Sequence, residues 1–63
     1  MNVHIDDVIM LKWEYDRMFR VIHVRYDGIV TCKDINENTS EFFAYPYEII
    51  NNLTKILNAL EQI

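Results

Sequence analysis

The chain has one cysteine, one proline and one glycine, and it is short of basic residues. A single cysteine excludes an internal disulfide framework, the usual reinforcement of a small secreted domain. The apolar run Val8–Leu11 stops at Lys12, and nothing approaches the ~20 apolar residues that a membrane-spanning helix needs. The first residues, Met-Asn-Val-His-Ile-Asp-Asp, lack the basic n-region of a secretory signal, so a cytoplasmic location is expected. The length of 63 residues leaves no room for a doubly wound sheet, an α/β barrel or a separate substrate domain. What is present is 51% hydrophobic and 25% charged, the composition of a packed domain rather than a disordered tail. A chain of this size buries only about 60% of the surface it exposes when unfolded. Stability must therefore come from a dense core, an oligomer or a partner.

Six Lys and Arg stand against ten Asp and Glu, for a net charge of −4. The basic residues concentrate in the middle: Arg17, Arg20, Arg25 and Lys33 lie between two acidic flanks. Nucleic-acid affinity rests largely on neutralising phosphates, so the overall acidity disfavours that partner. The basic island either solvates a sheet face and pairs with neighbours, or forms a docking surface for an acidic partner.

Hydrophobic patterning predicts a mainly β domain. Segments 8–13 and 18–26 read as strands, with Glu14-Tyr15-Asp16-Arg17 as the turn between them. Asp27-Gly28 predicts a two-residue type I′ hairpin, because Asp and Gly tolerate the positive φ that this turn requires. Its returning strand is 29–35, Asn36–Thr39 supplies another turn, and 40–45 is a fourth strand that Pro46 ends. From Tyr47 the period becomes helical. Ile49, Ile50, Leu53, Ile56, Leu57, Leu60 and Ile63 form a stripe along a helix expected over 47–62, which must pack on the sheet or on a second subunit. The expected architecture is a small, strongly bent antiparallel SH3-like barrel of four to five strands with a C-terminal amphipathic helix, all in one domain.

The residues Asp7-Val8, Phe19-x-Val21-Ile22-x-Val24, Asp27-Gly28-x-Val30-x-Cys32-x-Asp34, Thr39-Ser40-Glu41 and Pro46 carry a further likeness. Over residues 6–50 the chain resembles the small β-barrel near the C-terminus of Mu-type transposases and related barrels of phages and mobile elements. In those families the barrel is an accessory contact module. The resemblance implies a phage or mobile-element origin and a binding role, with no active-site residues to carry over.

The two-residue hairpin register would set His23 opposite Cys32, a pairing that generates a thiolate when a third residue orients the imidazole. No such residue is evident, and a small apolar thiol beneath a half-buried imidazole is the simpler reading. His4, Asp6, Asp7, His23 and Cys32 lack metal-ligand spacing. Neither catalysis, a metal nor a cofactor is expected. Eight aromatics remain: Trp13, Tyr15, Phe19, Tyr26, Phe42, Phe43, Tyr45 and Tyr47. Clustered rings in an acidic surround suit a cationic ligand; beside Arg and Lys they stack single-stranded bases. Phe42 and Phe43 are consecutive, so they point to opposite faces of their strand and only one fills the core.

The reading that follows is a non-catalytic protein-interaction module acting as a stoichiometric inhibitor or adaptor. Trp13, Tyr15, Arg17, Arg20, Arg25, Tyr26 and Phe43 are the expected partner-binding residues. The alternative is a nucleic-acid-binding barrel using the basic 17–33 segment. The helical stripe also offers a route to a symmetric homodimer.

Overall fold

A computed structural model of the chain describes residues 2–36 and 40–61. The chain forms five antiparallel strands in one open sheet, followed by a helix: β1 (Val8–Leu11), β2 (Glu14–Val24), β3 (Val30–Asp34), β4 (Phe42–Ala44), a 3-10 turn (Pro46–Glu48), β5 (Ile49–Asn52) and α1 (Thr54–Glu61). Strands β1 to β4 pair in sequence, and β5 returns to the free side of β1, giving the order β4-β3-β2-β1-β5. The expected mainly β architecture with a terminal helix is the one adopted. No helix among the described residues is long and apolar enough to cross a membrane.

Cross-strand partners share a face, and they assign the core. Ile9, Phe19 and Asp34 form one row, Val21, Cys32 and Phe42 a second, and Val24, Val30 and Ala44 a third. Ile9, Leu11, Phe19, Val21, Val30, Cys32 and Ala44 are buried together as one cluster. Each large member contributes about 1.5–3 kcal/mol by leaving water. The opposite face carries the rows Val8–Arg20–Lys33 and His23–Thr31–Phe43.

Two irregularities in β2 decide which residues reach that core. Between Val21↔Cys32 and His23↔Thr31 the strand carries one extra residue, a bulge. Strict alternation from Phe19 and Val21 would send His23 inward. The bulge turns the imidazole out to solvent and delivers Val24 to the core instead. Between Ile9↔Phe19 and Leu11↔Glu14 a larger shift sets the single residue Met10 against the stretch Tyr15–Met18. The polar run 14–17 is therefore a flared part of β2 rather than the expected turn. The turn lies at Lys12-Trp13, where the Leu11↔Glu14 pair closes it.

The β2–β3 hairpin also departs from the two-residue form. The Gly28 amide donates to the Arg25 carbonyl at 2.9 Å, and the Arg25 amide donates to the Ile29 carbonyl at 2.9 Å, leaving a three-residue loop. A type I′ turn needs positive φ at both central residues. Only Gly28 (φ 90°) has it here; Asp6 (φ 74°) is the one non-glycine residue among those described with positive φ. The three-residue alternative needs only one left-handed position, and the chain's one glycine fills it.

The expected helix over 47–62 starts late. Ile49–Asn52 pair with β1 through Leu11↔Ile49, Met10↔Asn51 and Ile9↔Asn52. These long-range hydrogen bonds satisfy the free edge of β1, which a helix would leave open, and β-branched Ile49 and Ile50 favour the extended form. Asn52 then starts the helix, its Oδ1 accepting from the Thr54 amide at 3.1 Å. The Thr54 Oγ1 accepts from the Val8 amide at 2.9 Å. Beyond this first turn α1 is mostly open to solvent, with Ile56 54% and Leu60 60% exposed. The expected continuation through Gln62 and Ile63, and the turn at 37–39, lie outside the described residues.

Asp7 ties the N-terminal segment to this junction. Its Oδ2 accepts from the His4 amide at 2.8 Å and the Asn52 side-chain amide at 2.9 Å. Burial pushes the Asp7 pKa up, but the hydrogen bonds from His4, Asn52 and Thr54, with the nearby His4 ring, outweigh it and hold the carboxyl below its ordinary value.

Candidate docking surface

The 3-10 turn and the β1–β2 turn meet at one rim of the sheet, where the Lys12 amide donates to the Glu48 carbonyl at 2.9 Å. Pro46 fits the first position of the 3-10 turn, since its missing N–H has no partner to lose there. Glu48 closes the turn: its amide donates to the Tyr45 carbonyl, and its Oε1 accepts from the Tyr45 amide at 2.9 Å. The other carboxylate oxygen, Oε2, accepts from the Trp13 indole at 2.7 Å. One carboxylate thus fixes both the tyrosine segment and the tryptophan.

Trp13 lies over a ring cluster, 5.9 Å from Phe19 and 5.6 Å from Phe42, while Phe19 and Phe42 meet edge-on at 5.3 Å. Such geometry is the one that aromatic quadrupoles favour. Beside it, Tyr45 and Tyr47 stack at 5.6 Å with 18° between their planes. The Lys12 ammonium sits 4.8 Å from the Tyr47 centroid. Much of this rim is open: Trp13 is 46%, Tyr45 48% and Tyr47 70% exposed. Exposed aromatics grouped in this way mark interaction sites rather than core.

Arg17 lies against the Phe19 ring of this cluster. Its Nε donates to Asp34 Oδ2 at 2.7 Å, its Nη1 donates to Glu14 Oε2 at 3.0 Å, and its guanidinium lies 5.4 Å from the Phe19 centroid. Hydrogen bonds to Asp34 first, then Glu14, raise its pKa, so the charge is permanent.

The seven residues expected to bind a partner do not gather on one surface. Trp13 and Arg17 belong to the rim, and Tyr15 projects from the flared start of β2, largely exposed. Arg20 and Phe43 lie on the outer sheet face, Arg20 beside Lys33 and Phe43 beside Thr31. Arg25 and Tyr26 are at the hairpin tip, bordering an open hollow of about 340 Å³ shared with Val3, Pro46 and Ile49. The four cations of the 17–33 segment do not make one patch. Arg17 is held by Asp34 and Glu14, Arg25 pairs with Asp27 at 2.9 Å, and only Arg20 and Lys33 are neighbours. Phe42 is the inward ring of its pair and Phe43 the outward one, as consecutive positions require.

Sequence reasoning missed Lys12 and Glu48 as site residues, and it left Tyr45 and Tyr47 among eight aromatics without singling them out. The signal was the run Tyr45-Pro46-Tyr47-Glu48, an acid three residues after the start of a Pro-containing turn, which the helical stripe obscured. The conditional His23–Cys32 pairing does not occur. Cys32 is opposite Val21 and fully buried, and His23 is exposed on the other face. Burial, with the negative charge of Glu48, raises the Cys32 thiol to about 11, far from a nucleophile's range. Among the described residues no three His, Cys, Asp or Glu side chains gather as metal ligands would. Comparison with family models, curated proteins and solved structures finds no match for this chain.

Proposed function

We propose that the chain is a small protein-interaction module that docks a partner through the Trp13–Tyr45–Tyr47 rim. The observation that carries this reading is the exposed Trp13 ring beside the exposed Tyr45–Tyr47 stack, with the single Glu48 carboxylate bonded to both the Trp13 indole and the Tyr45 amide. Pre-positioned aromatics lose little conformational freedom on binding, which is why Trp and Tyr dominate interface energetics. The module acts by stoichiometric occlusion, as an inhibitor or an adaptor, in keeping with its size and the contact role implied by its likeness to mobile-element barrels. The separation of the basic residues gives a nucleic-acid reading no common surface to work from.

The test is affinity capture with matched variants. Protein retained by the wild-type chain and by Phe43→Ser, whose change lies on the outer face, should be lost from Tyr47→Ser and Trp13→Ser. Equal retention by the rim variants, checked for folding by circular dichroism, rejects the rim as the docking surface.

A further inference from the structure

We infer that the Tyr45–Tyr47 pair is a receptor for one cationic side chain, a lysine or arginine of the docking protein, and that Lys12 is its built-in occupant. This rests on the rim being the docking surface and names what that surface recognises.

Three observations lead there. An ammonium already lies over the Tyr47 ring, 4.8 Å from its centroid, so the ring face is sterically open to a cation. That occupant covers little: Lys12 and Tyr47 are both exposed, Tyr47 at 70%, and a side chain held by a water-exposed contact is readily displaced. Finally, the net charge favours the approach of a cation. The chain carries a net −4, and the Glu48 carboxylate lies at the rim, whereas Glu14 is already paired with Arg17. An incoming cation exchanges with Lys12 over the Tyr47 ring, which Tyr45 supports as its stacking partner, 5.6 Å away and 18° from parallel.

Intramolecular competition of this kind makes a specific demand. Removing the Lys12 ammonium while keeping its stem should strengthen binding of a cationic ligand, although the residue lies in the site itself. Because Lys12→Met also makes the chain more acidic overall, Lys55→Met on the solvent face of α1 controls for net charge.

The probes are four Gly/Ser hexapeptides with one central residue: lysine, arginine, trimethyllysine or the neutral Nε-acetyllysine. Binding is read from the amide resonances of Tyr45, Tyr47 and Glu48 and from the fluorescence of Trp13, the chain's one tryptophan. The three cationic peptides should shift these signals, and acetyllysine should not. Lys12→Met should bind them about two- to fivefold more tightly than Lys55→Met does. Tyr47→Leu should lose the response while keeping the fold. Equal shifts with acetyllysine, or no gain of Lys12→Met over Lys55→Met, overturn the inference. If captured protein still depends on Trp13 and Tyr47 in that case, rim docking stands and only the cation assignment falls. Should capture be indifferent to those residues, the docking reading itself has failed.

Discussion

Replacing Arg17 with methionine isolates the one buried charge among the described residues. Asp34 is 5% exposed, in the same row as Ile9 and Phe19, and it accepts from Arg17 Nε at 2.7 Å and from the Asn36 amide at 2.7 Å. Methionine keeps an apolar stem over the Phe19 ring and removes the guanidinium, so Asp34 keeps its burial and loses a charged partner. A fully buried pair broken from one side costs about 3–5 kcal/mol. Exposed pairs give about 0–1 kcal/mol. The Arg17 side chain is 36% exposed, which lets water replace part of the lost interaction, so a cost of about 2–3 kcal/mol is expected. At about 0.05–0.15 kcal/mol per residue, the whole domain has only about 3–9 kcal/mol to lose. Urea unfolding followed by Trp13 fluorescence measures the change as a shift in midpoint at constant slope. Arg17→Met/Asp34→Asn should recover at least half of the loss, because the amide still accepts from Asn36 without a stranded charge. The reasoning is refuted if Arg17→Met costs under about 0.5 kcal/mol, or if the double variant is no more stable than the single one.

Gly28→Ala should destabilise by about 1–3 kcal/mol, since an alanine is strained at φ 90° and its Cβ would stand 3.0 Å from the Pro46 Cγ; a neutral result by thermal unfolding would contradict the hairpin geometry. Cys32 should react with iodoacetamide at pH 8 more than about 100-fold slower in the folded chain than in urea, because access requires opening the core; similar rates would place the thiol at the surface. Its raised pKa also sets a sign. The unfolded thiol loses its proton from about pH 9.0 and the folded one only near 11, so this group leaves stability unchanged below 9 and lowers it as pH rises from 9 to 11. Comparing Cys32→Ala with wild type across that range should show the wild type losing stability more steeply. Ile56→Asn and Leu60→Asn should each change stability by less than about 0.5 kcal/mol, given their exposure on α1; losses near 2 kcal/mol in urea would mean that α1 is packed.

Much of the architecture was legible from short-range patterns. Segments 8–13 and 29–35 read as strands because their apolar residues meet the period of a sheet or fill a buried run, and β1 and β3 lie within them. The Phe42–Phe43 split follows from alternation alone. Gly28 marked a hairpin because it is the one residue free to adopt a left-handed conformation without strain. The candidate site was less legible. Trp13 stood out as an aromatic needing a place, but its partner Glu48 is 35 residues away. The helical stripe from Ile49 onward concealed a strand, since Ile49 and Ile50 satisfy both patterns and only the open edge of β1 chooses between them.

The sequence by itself determined a mainly β chain with net acidity, an apolar set sufficient for one core, and a terminal amphipathic helix, though not where that helix starts. These follow from residue type and spacing, which act locally. Tertiary structure decided the register: the bulge that turns His23 out and Val24 in, the three-residue hairpin, the fifth strand, and the meeting of Lys12, Trp13, Tyr45, Tyr47 and Glu48 at one rim. Each depends on which distant backbone groups find hydrogen-bond partners, and spacing along the chain does not encode that choice.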